Sequence, residues 1–313
     1  MSWIEPRRRG LGVVAAAVTV LAVACAETGD DDDAMLPADT AAGAAAGPLT
    51  IADAGFQTPE SVLHDDLADL YLVSNINGDP LDRDDNGFIS RVSPDGTVQD
   101  LKWIDGDADG VTLNAPKGLA ILGDTLFVAD IDTVRAFDRN SGAPLGARGV
   151  QGASFLNDLA VVDGVLYVTD SGFGPGFEPS GTDAIHRFDG EVAEALAEGA
   201  DLAHPNGIAG TDQGLVMVPF GGAVVYRIGA DGAASELATL PAGQLDGVVQ
   251  VADGSLLVSS WEGAAVYRVR EGLAPEAVVE NVEAPADIGY DRQRGRVLIP
   301  LFQGNAVEIR PVR

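Results

Sequence analysis

Cysteine is nearly absent from this chain, one residue in 313. A single thiol closes no internal disulfide, so cross-linking does not hold the fold. Basic residues are scarce as well, with 19 Lys plus Arg against 48 Asp plus Glu and a formal net charge of -29. Nucleic-acid binders and sensors of anionic membranes need basic surface on the scale of the domain, and this balance argues against both. No G-x-G-x-x-G opens a helix after a strand, and no G-x-S-x-G elbow is present. A nucleotide fold and a serine nucleophile therefore lack support. The one extended apolar run, LGVVAAAVTVLAVA at residues 11–24, is too short to span a bilayer comfortably. What remains is a chain with 46% hydrophobic residues, enough for a sizeable core and too many for a wholly disordered acidic chain.

Residues 1–24 read as an export signal, with Arg7, Arg8 and Arg9 ahead of the apolar run. The run ends in Ala22, Val23, Ala24 and Cys25, which resembles the lipobox of bacterial lipoproteins. The resemblance implies that Cys25 is lipidated and becomes the new N-terminus; the alternative is an ordinary signal peptide with a chance cysteine. Ala26 stands where an inner-membrane retention signal usually has Asp, which implies an outer-membrane lipoprotein facing the periplasm or cell surface. Membrane contact is then through the lipid alone. Residues 25–50 form a linker with four consecutive Asp, from Asp30 to Asp33, and an Ala/Gly/Pro tract that cannot build a core.

From residue 51 to 313 strand signals dominate. LADLYLVSN, GDTLFVAD, DGVLYVTD, QGLVMVPF, DGSLLVSS and RGRVLIPL are short runs of β-branched, aliphatic or aromatic residues bounded by Gly, Asp or Asn. One stretch, EVAEALAEGADLA at 191–203, has helix-forming composition or is a short turn. A short motif precedes each run: TPESVL, APKGLA, FLNDLA, HPNGIA, QLDGVV and PADIGY. Aligning these motifs marks Glu60, Lys117, Asn157, Asn206, Asp246 and Asp287, spaced by 57, 40, 49, 40 and 41 residues. A period near 40 with several strands per unit predicts an all-β, six-bladed β-propeller. The longer intervals hold insertions at 79–86 and 172–183, expected as loops on one face. GFGPGFEPSG in the second cannot continue a strand and is expected at the channel mouth.

In a propeller the innermost strands start beside the axis, so these six residues are expected to line a central metal-binding channel. Three carboxylates buried together need a cation, and Lys117 supplies only one charge. Oxygen donors without clustered His or Cys suit calcium or magnesium rather than zinc, and calcium's larger, irregular shell favours calcium. The competing reading is that Asn, Asp and Gly simply mark turns before each strand. Two acidic segments, Asp82-x-Asp84-x-Asn86-Gly87 and Asp105-x-Asp107-x-Asp109-Gly110, match the first half of a calcium loop but carry Ser93 and Pro116 at the twelfth position instead of Glu. They stand as solvated acidic loops or a second calcium site.

PES at 59–61, LND at 156–158, PNG at 205–207 and LDG at 245–247 give the domain its family likeness. It resembles the gluconolactonase/regucalcin-like six-bladed propellers, and more distantly paraoxonase and strictosidine synthase. The resemblance implies a catalytic divalent ion held by Glu60, Asn157, Asn206 and Asp246, with calcium first and magnesium, manganese or zinc as alternatives. It also implies a small lactone or ester substrate, a metal-dependent hydrolase, and a monomer. Asp246 is the expected general base. Lys117 replaces the histidine of the paraoxonase-like proton-transfer dyad, leaving it as a catalytic candidate that holds a carboxylate or oxyanion of the substrate, or as a structural counter-ion. His204 and Asp287 are further candidates for substrate contact, with Asp287 alternatively paired to Lys117. The alternative class is a non-catalytic, calcium-stabilised propeller that binds a protein or small ligand.

Overall fold

A computed structural model describes residues 47–312; the expected export signal, Cys25 and most of the linker lie outside the described residues. Within them the chain forms six four-stranded antiparallel sheets and, apart from two single-turn 3₁₀ segments, no helix. The innermost strands are Pro59–Asp65, Pro116–Leu122, Leu156–Val162, Pro205–Thr211, Leu245–Gln250 and Gly289–Asp291. These head blades 1 to 6 of a β-propeller.

The strand runs are buried in their middles because each blade is covered on both faces. Six apolar clusters result, one at each of the six blade interfaces. Between blades 4 and 5, for example, Val216, Val218 and Val225 meet Val248, Val258 and Tyr267. Outermost strands lose this cover and become polar. Val192–Glu198 is such a strand, paired to Ala184–Asp189 along its length and mostly solvent-facing. Its helix-forming composition is thus overridden by the sheet edge it completes, and only Ala200–Leu202 turns as a 3₁₀ segment.

Ring closure changes the expected domain boundary. Leu49–Ile51 pairs antiparallel with Ala306–Pro311, placing Leu49 against Ile309 and Ile51 against Val307. The N-terminal end of the domain is therefore the fourth strand of blade 6. Two residues that composition assigned to the linker, Leu49 and Thr50, belong to the fold. The first and last strands of the described residues pair in one sheet, which closes the ring through blade 6.

A repeated irregularity governs the inner strands. In blades 1 to 5 the pairing of the first two strands slips by one residue just after its first pair, as between Pro59 and Val62 or Leu245 and Val248. Such a bulge re-aims consecutive side chains. In three blades a hydroxyl from the second strand satisfies the amide that the bulge frees. Ser61 N–H donates to Ser74 Oγ at 2.9 Å, Asp158 N–H to Thr169 Oγ1 at 2.9 Å and Gly247 N–H to Ser259 Oγ at 2.7 Å. Neighbouring inner strands also approach closely here. A Cβ on Gly207 would sit 2.2 Å from the Asp246 carbonyl oxygen, so only glycine fits.

If the N-terminal strand closes the ring, a chain starting at Gly47 keeps full stability. Starting at Ala52 lowers the denaturation midpoint, and Ile51→Ala in the full chain costs about 2 kcal/mol or more, read by chemical denaturation.

Candidate functional site

In blades 1 to 5 the bulge sends the second residue of the inner strand to one side of the channel, and in blades 1 and 3 the third, Ser61 and Asp158, to the other. Glu60, Lys117, Asn157, Asn206 and Asp246, all second residues, converge at the floor of a cavity of about 900 Å³. In blade 6 the bridge between Pro285 and Leu301 corresponds to the pair of Pro59 with Asn75 in blade 1. The sixth member of this tier is therefore Ala286, and the spacing from Asp246 becomes 40 residues.

Asp287, assigned to the ring from the sequence, belongs one residue deeper. It bridges Ser61, accepts a hydrogen bond from the Ser61 hydroxyl and lines a separate cavity of about 260 Å³ on the opposite side, together with Asp158. Its side chain is paired with Ser61 rather than Lys117, and it does not line the large cavity where substrate contact was expected. The PAD of blade 6 looks like PES or PNG only if the aspartate is slid onto the wrong tier. The upper tier thus holds two carboxylates rather than three.

Four oxygens define the floor. Glu60 Oε2, Asn157 Oδ1, Asn206 Oδ1 and Asp246 Oδ1 are buried, and none has a hydrogen-bond donor. The amide orientations follow from their other ends. Asn157 Nδ2 donates to Ser171 Oγ at 3.0 Å and Asn206 Nδ2 to the Leu245 carbonyl at 3.4 Å, which leaves both amide oxygens facing inward. Buried acceptors are rarely left without partners because desolvation costs about 1–3 kcal/mol each, more for a charged one. Four together, one from each of four blades, make a set of hard oxygen donors of the kind that suits a cation. Among the described residues no three His, Cys, Asp or Glu side chains converge as a metal cluster, consistent with a set half made of amides.

The electrostatics are those of an uncompensated acidic channel. Burial, then the charges of Asp246 and Asp287, push the Glu60 carboxyl well above its ordinary range. Burial and Asp287 do the same to Asp246, against the opposing influence of Trp261 and Asn206. Burial and Asp287 also raise Asp158, while Asp287 is raised to about 7 by burial, opposed by Ser61. Lys117 does not form a direct ion pair with these acids. Its Nζ donates to the carbonyls of Pro80 at 3.1 Å and Ala115 at 3.2 Å and lies over the Phe155 ring at 4.4 Å. Burial depresses it to about 8, with the Glu60 charge resisting. Through Pro80 it fastens the blade 1 insertion over the floor.

His204 stands on the cavity wall, stacked on Phe173 with centroids 4.3 Å apart. Its Nδ1 lies 2.8 Å from the Ser171 carbonyl and 3.2 Å from Asp183 Oδ1, both acceptors. Nδ1 therefore carries the proton, leaving Nε2 as the acceptor nitrogen of the neutral ring. The two half-matches to calcium loops differ: Asn86 Oδ1 in the first is buried without a partner, whereas acids of the second are paired within the protein. Lys102 pairs with Asp105 and Asp107, and Asn86 Nδ2 donates to Asp84.

Sequence reasoning missed the aromatic wall. Phe220, Trp261 and Phe302 line the cavity, and each is the first residue after the second strand of its blade. The equivalent residues in blades 1 to 3 are Ile76, Ile131 and Ser171. Reading that column of the repeat would have found them. Asp130 and Asp170, the last residues of second strands, are buried for a structural reason: each accepts backbone N–H groups of the segment leading into its blade, Asn114 and Ala115 or Ser154 and Phe155.

The fold defines the class: this is a six-bladed β-propeller with an acid-and-amide floor open on one face. Several solved propellers superpose on most of the chain. A gluconolactonase from Xanthomonas campestris has a TM-score of 0.65 at 22% identity, covering 85% of this chain and 89% of that one. A streptogramin B lyase has a TM-score of 0.60 at 14% identity over 84% and 96%, and virginiamycin B lyase from Staphylococcus aureus 0.61 at 13% over 84% and 98%. No protein-family model and no curated protein sequence matches the chain. At these identities the likeness is one of fold.

The raised acids predict a pH effect of definite sign. Each holds its proton more tightly folded than unfolded, so stability falls as pH rises from the ordinary carboxylate pKa near 4 through about 7. Depressed carboxylates such as Asp65, held by Arg139, act oppositely but below that window. Lys117 acts oppositely only above about 8. In chelator the melting temperature at pH 7.5 is expected about 5 °C below that at pH 5, and saturating calcium should remove most of the difference in a thermal scan.

Proposed function

We propose that this chain is a divalent-cation-dependent hydrolase of lactones or related esters, with calcium the favoured ion. The observation that carries the reading is the quartet of donorless buried oxygens from Glu60, Asn157, Asn206 and Asp246 at the floor of the large cavity. The donor set suits a hard cation, and calcium tolerates its mixture of carboxylates and amides better than magnesium or zinc. The fold-level likeness to a gluconolactonase supports the lactone class. A bound divalent ion supplies Lewis-acid polarisation of the ester carbonyl and charge stabilisation of the oxyanion.

The chain's own groups account for the rest. Asp246 is the general base: it takes a proton from water as the water oxygen bonds to the carbonyl carbon. The ring C–O bond then breaks, the proton passes to the departing alkoxide, and the product is the open hydroxy acid. Asn157 and Asn206 hold their amide oxygens in place through the hydrogen bonds of their Nδ2 groups. Lys117, buried above an aromatic ring, sets the field around Glu60 and fixes the blade 1 insertion. The surrounding apolar wall lowers the local dielectric, which strengthens each of these interactions. In this reading the enzyme acts as a monomer outside the cytoplasm, tethered by a lipid on Cys25.

Isothermal titration of metal-stripped protein is expected to show one tight calcium site, weakened at least 100-fold by Asp246→Ala or Asn206→Ala while the circular dichroism spectrum is kept. Proton release from a lactone panel should depend on calcium and fall about 10²–10³-fold or more in Asp246→Ala. Calcium binding without turnover of any lactone or aryl ester would instead establish a non-catalytic binding propeller. Turnover indifferent to chelation and to Asp246→Ala would refute the assignment.

A further inference from the structure

The cavity above the floor is built almost without polar groups. Aromatic residues are only 6% of the chain, yet five of its ten phenylalanines and one of its three tryptophans line this one space. They form an unbroken run of ring contacts around the mouth. Phe155 meets Phe173 at 5.7 Å, Phe173 meets Phe177 at 5.9 Å and Phe220 at 6.3 Å, Phe220 meets Trp261 at 5.5 Å, and Trp261 meets Phe302 at 5.1 Å. Phe177, in the blade 3 insertion, is 54% exposed at the rim. An exposed phenylalanine at a cavity mouth, continuous with a half-buried aromatic arc, is apolar surface left open to a ligand.

Above the floor the polar lining groups are His204, Gln244, Glu262 and the indole N–H of Trp261. Two of them are engaged within the protein: His204 through the Ser171 carbonyl and Asp183, Glu262 by the Gly243 N–H at 2.6 Å. A polyhydroxylated ligand needs a hydrogen-bond partner for each hydroxyl it loses to water, and sites built for such ligands display them. This wall cannot. Its volume of about 900 Å³ is also near the top of the ~300–1,000 Å³ range of small-molecule pockets, far more than one sugar-sized ring fills.

We infer that the cavity selects lactones or esters bearing an extended apolar substituent, an alkyl chain or aryl group laid along the aromatic arc, over polyhydroxylated sugar lactones. The inference rests on the lactone-hydrolase reading for its chemistry, and on the wall alone for its selectivity. The ester group sits at the acid-and-amide floor, and the substituent runs outward past Phe173, Phe220 and Trp261 toward Phe177. Remote apolar contact of this kind improves binding of ground and transition states alike, so its effect appears in KM.

The test uses calcium-loaded protein and γ-alkyl-γ-butyrolactones from methyl to octyl, with glucono-δ-lactone as the polar comparison. Expected is a rise in kcat/KM of roughly fourfold per methylene until the cavity is filled, carried by KM, with glucono-δ-lactone the poorest substrate. Phe177→Ser, at a half-exposed position the fold tolerates, and Phe220→Ala should each flatten the chain-length dependence. Calcium-dependent turnover that is level with chain length, that prefers glucono-δ-lactone, or whose slope survives both substitutions would overturn the inference and leave the hydrolase reading standing. If no lactone is turned over, the hydrolase reading fails separately. Binding of 2-alkylcyclopentanones, followed by tryptophan fluorescence, then decides: affinity that climbs with alkyl length and drops in Phe177→Ser sustains the apolar ligand class, and affinity independent of length rejects it.

Discussion

Everything distinctive about this channel depends on a one-residue slip at the start of the inner strands. A regular strand alternates its side chains across the faces of its own sheet, between neighbouring blades, and would leave the channel lined by whatever lies at the strand ends. The bulge after the first pair turns two consecutive residues along the axis in opposite senses, giving an upper tier of acids and amides and a lower tier that includes Ser61, Asp158 and Asp287. Hydroxyls of Ser74, Thr169 and Ser259 make the slip tolerable by accepting the amides it frees. Closely approaching inner strands then demand glycine at positions such as 207 and 247. The motif residues are thus partly the oxygen donors of the channel floor and partly the conditions under which a bulge can exist.

The two tiers share one electrostatic problem. Glu60, Asp246, Asp158 and Asp287 are buried close enough to raise one another's proton affinity, and the one buried ammonium in their midst is committed to two backbone carbonyls and an aromatic ring. The lower carboxylates find partners: Ser61 for Asp287, and the Leu159 and Ile208 amides for Asp158. The upper tier leaves its oxygens bare. That asymmetry separates a lower layer satisfied within the protein from an upper layer whose oxygens have no partner in it.

The period near 40 placed five of the six upper-tier residues correctly because the bulge recurs with its motif. It failed at blade 6, where Asp287 offered the expected chemistry one position too late and Ala286 holds the equivalent place. A similar limit hid the closing strand: three residues, LTI, carry no periodic signal, and only the unpaired edge of Ala306–Pro311 calls for them. Residues 191–203 were ambiguous because an edge strand facing solvent selects for polarity and tolerates helix formers. The aromatic arc escaped notice because its members come from four blades and from loops between strands.

The amino-acid sequence by itself determined the all-β class, the number of repeats and the identity of the acid and amide residues at the floor, since each is written in local pattern and period. Tertiary structure alone decided which tier Asp287 occupies, what Lys117 touches, which strand closes the ring and that scattered aromatic residues share one wall. Those outcomes depend on register and on the meeting of distant blades, and neither is encoded within reach of a single repeat.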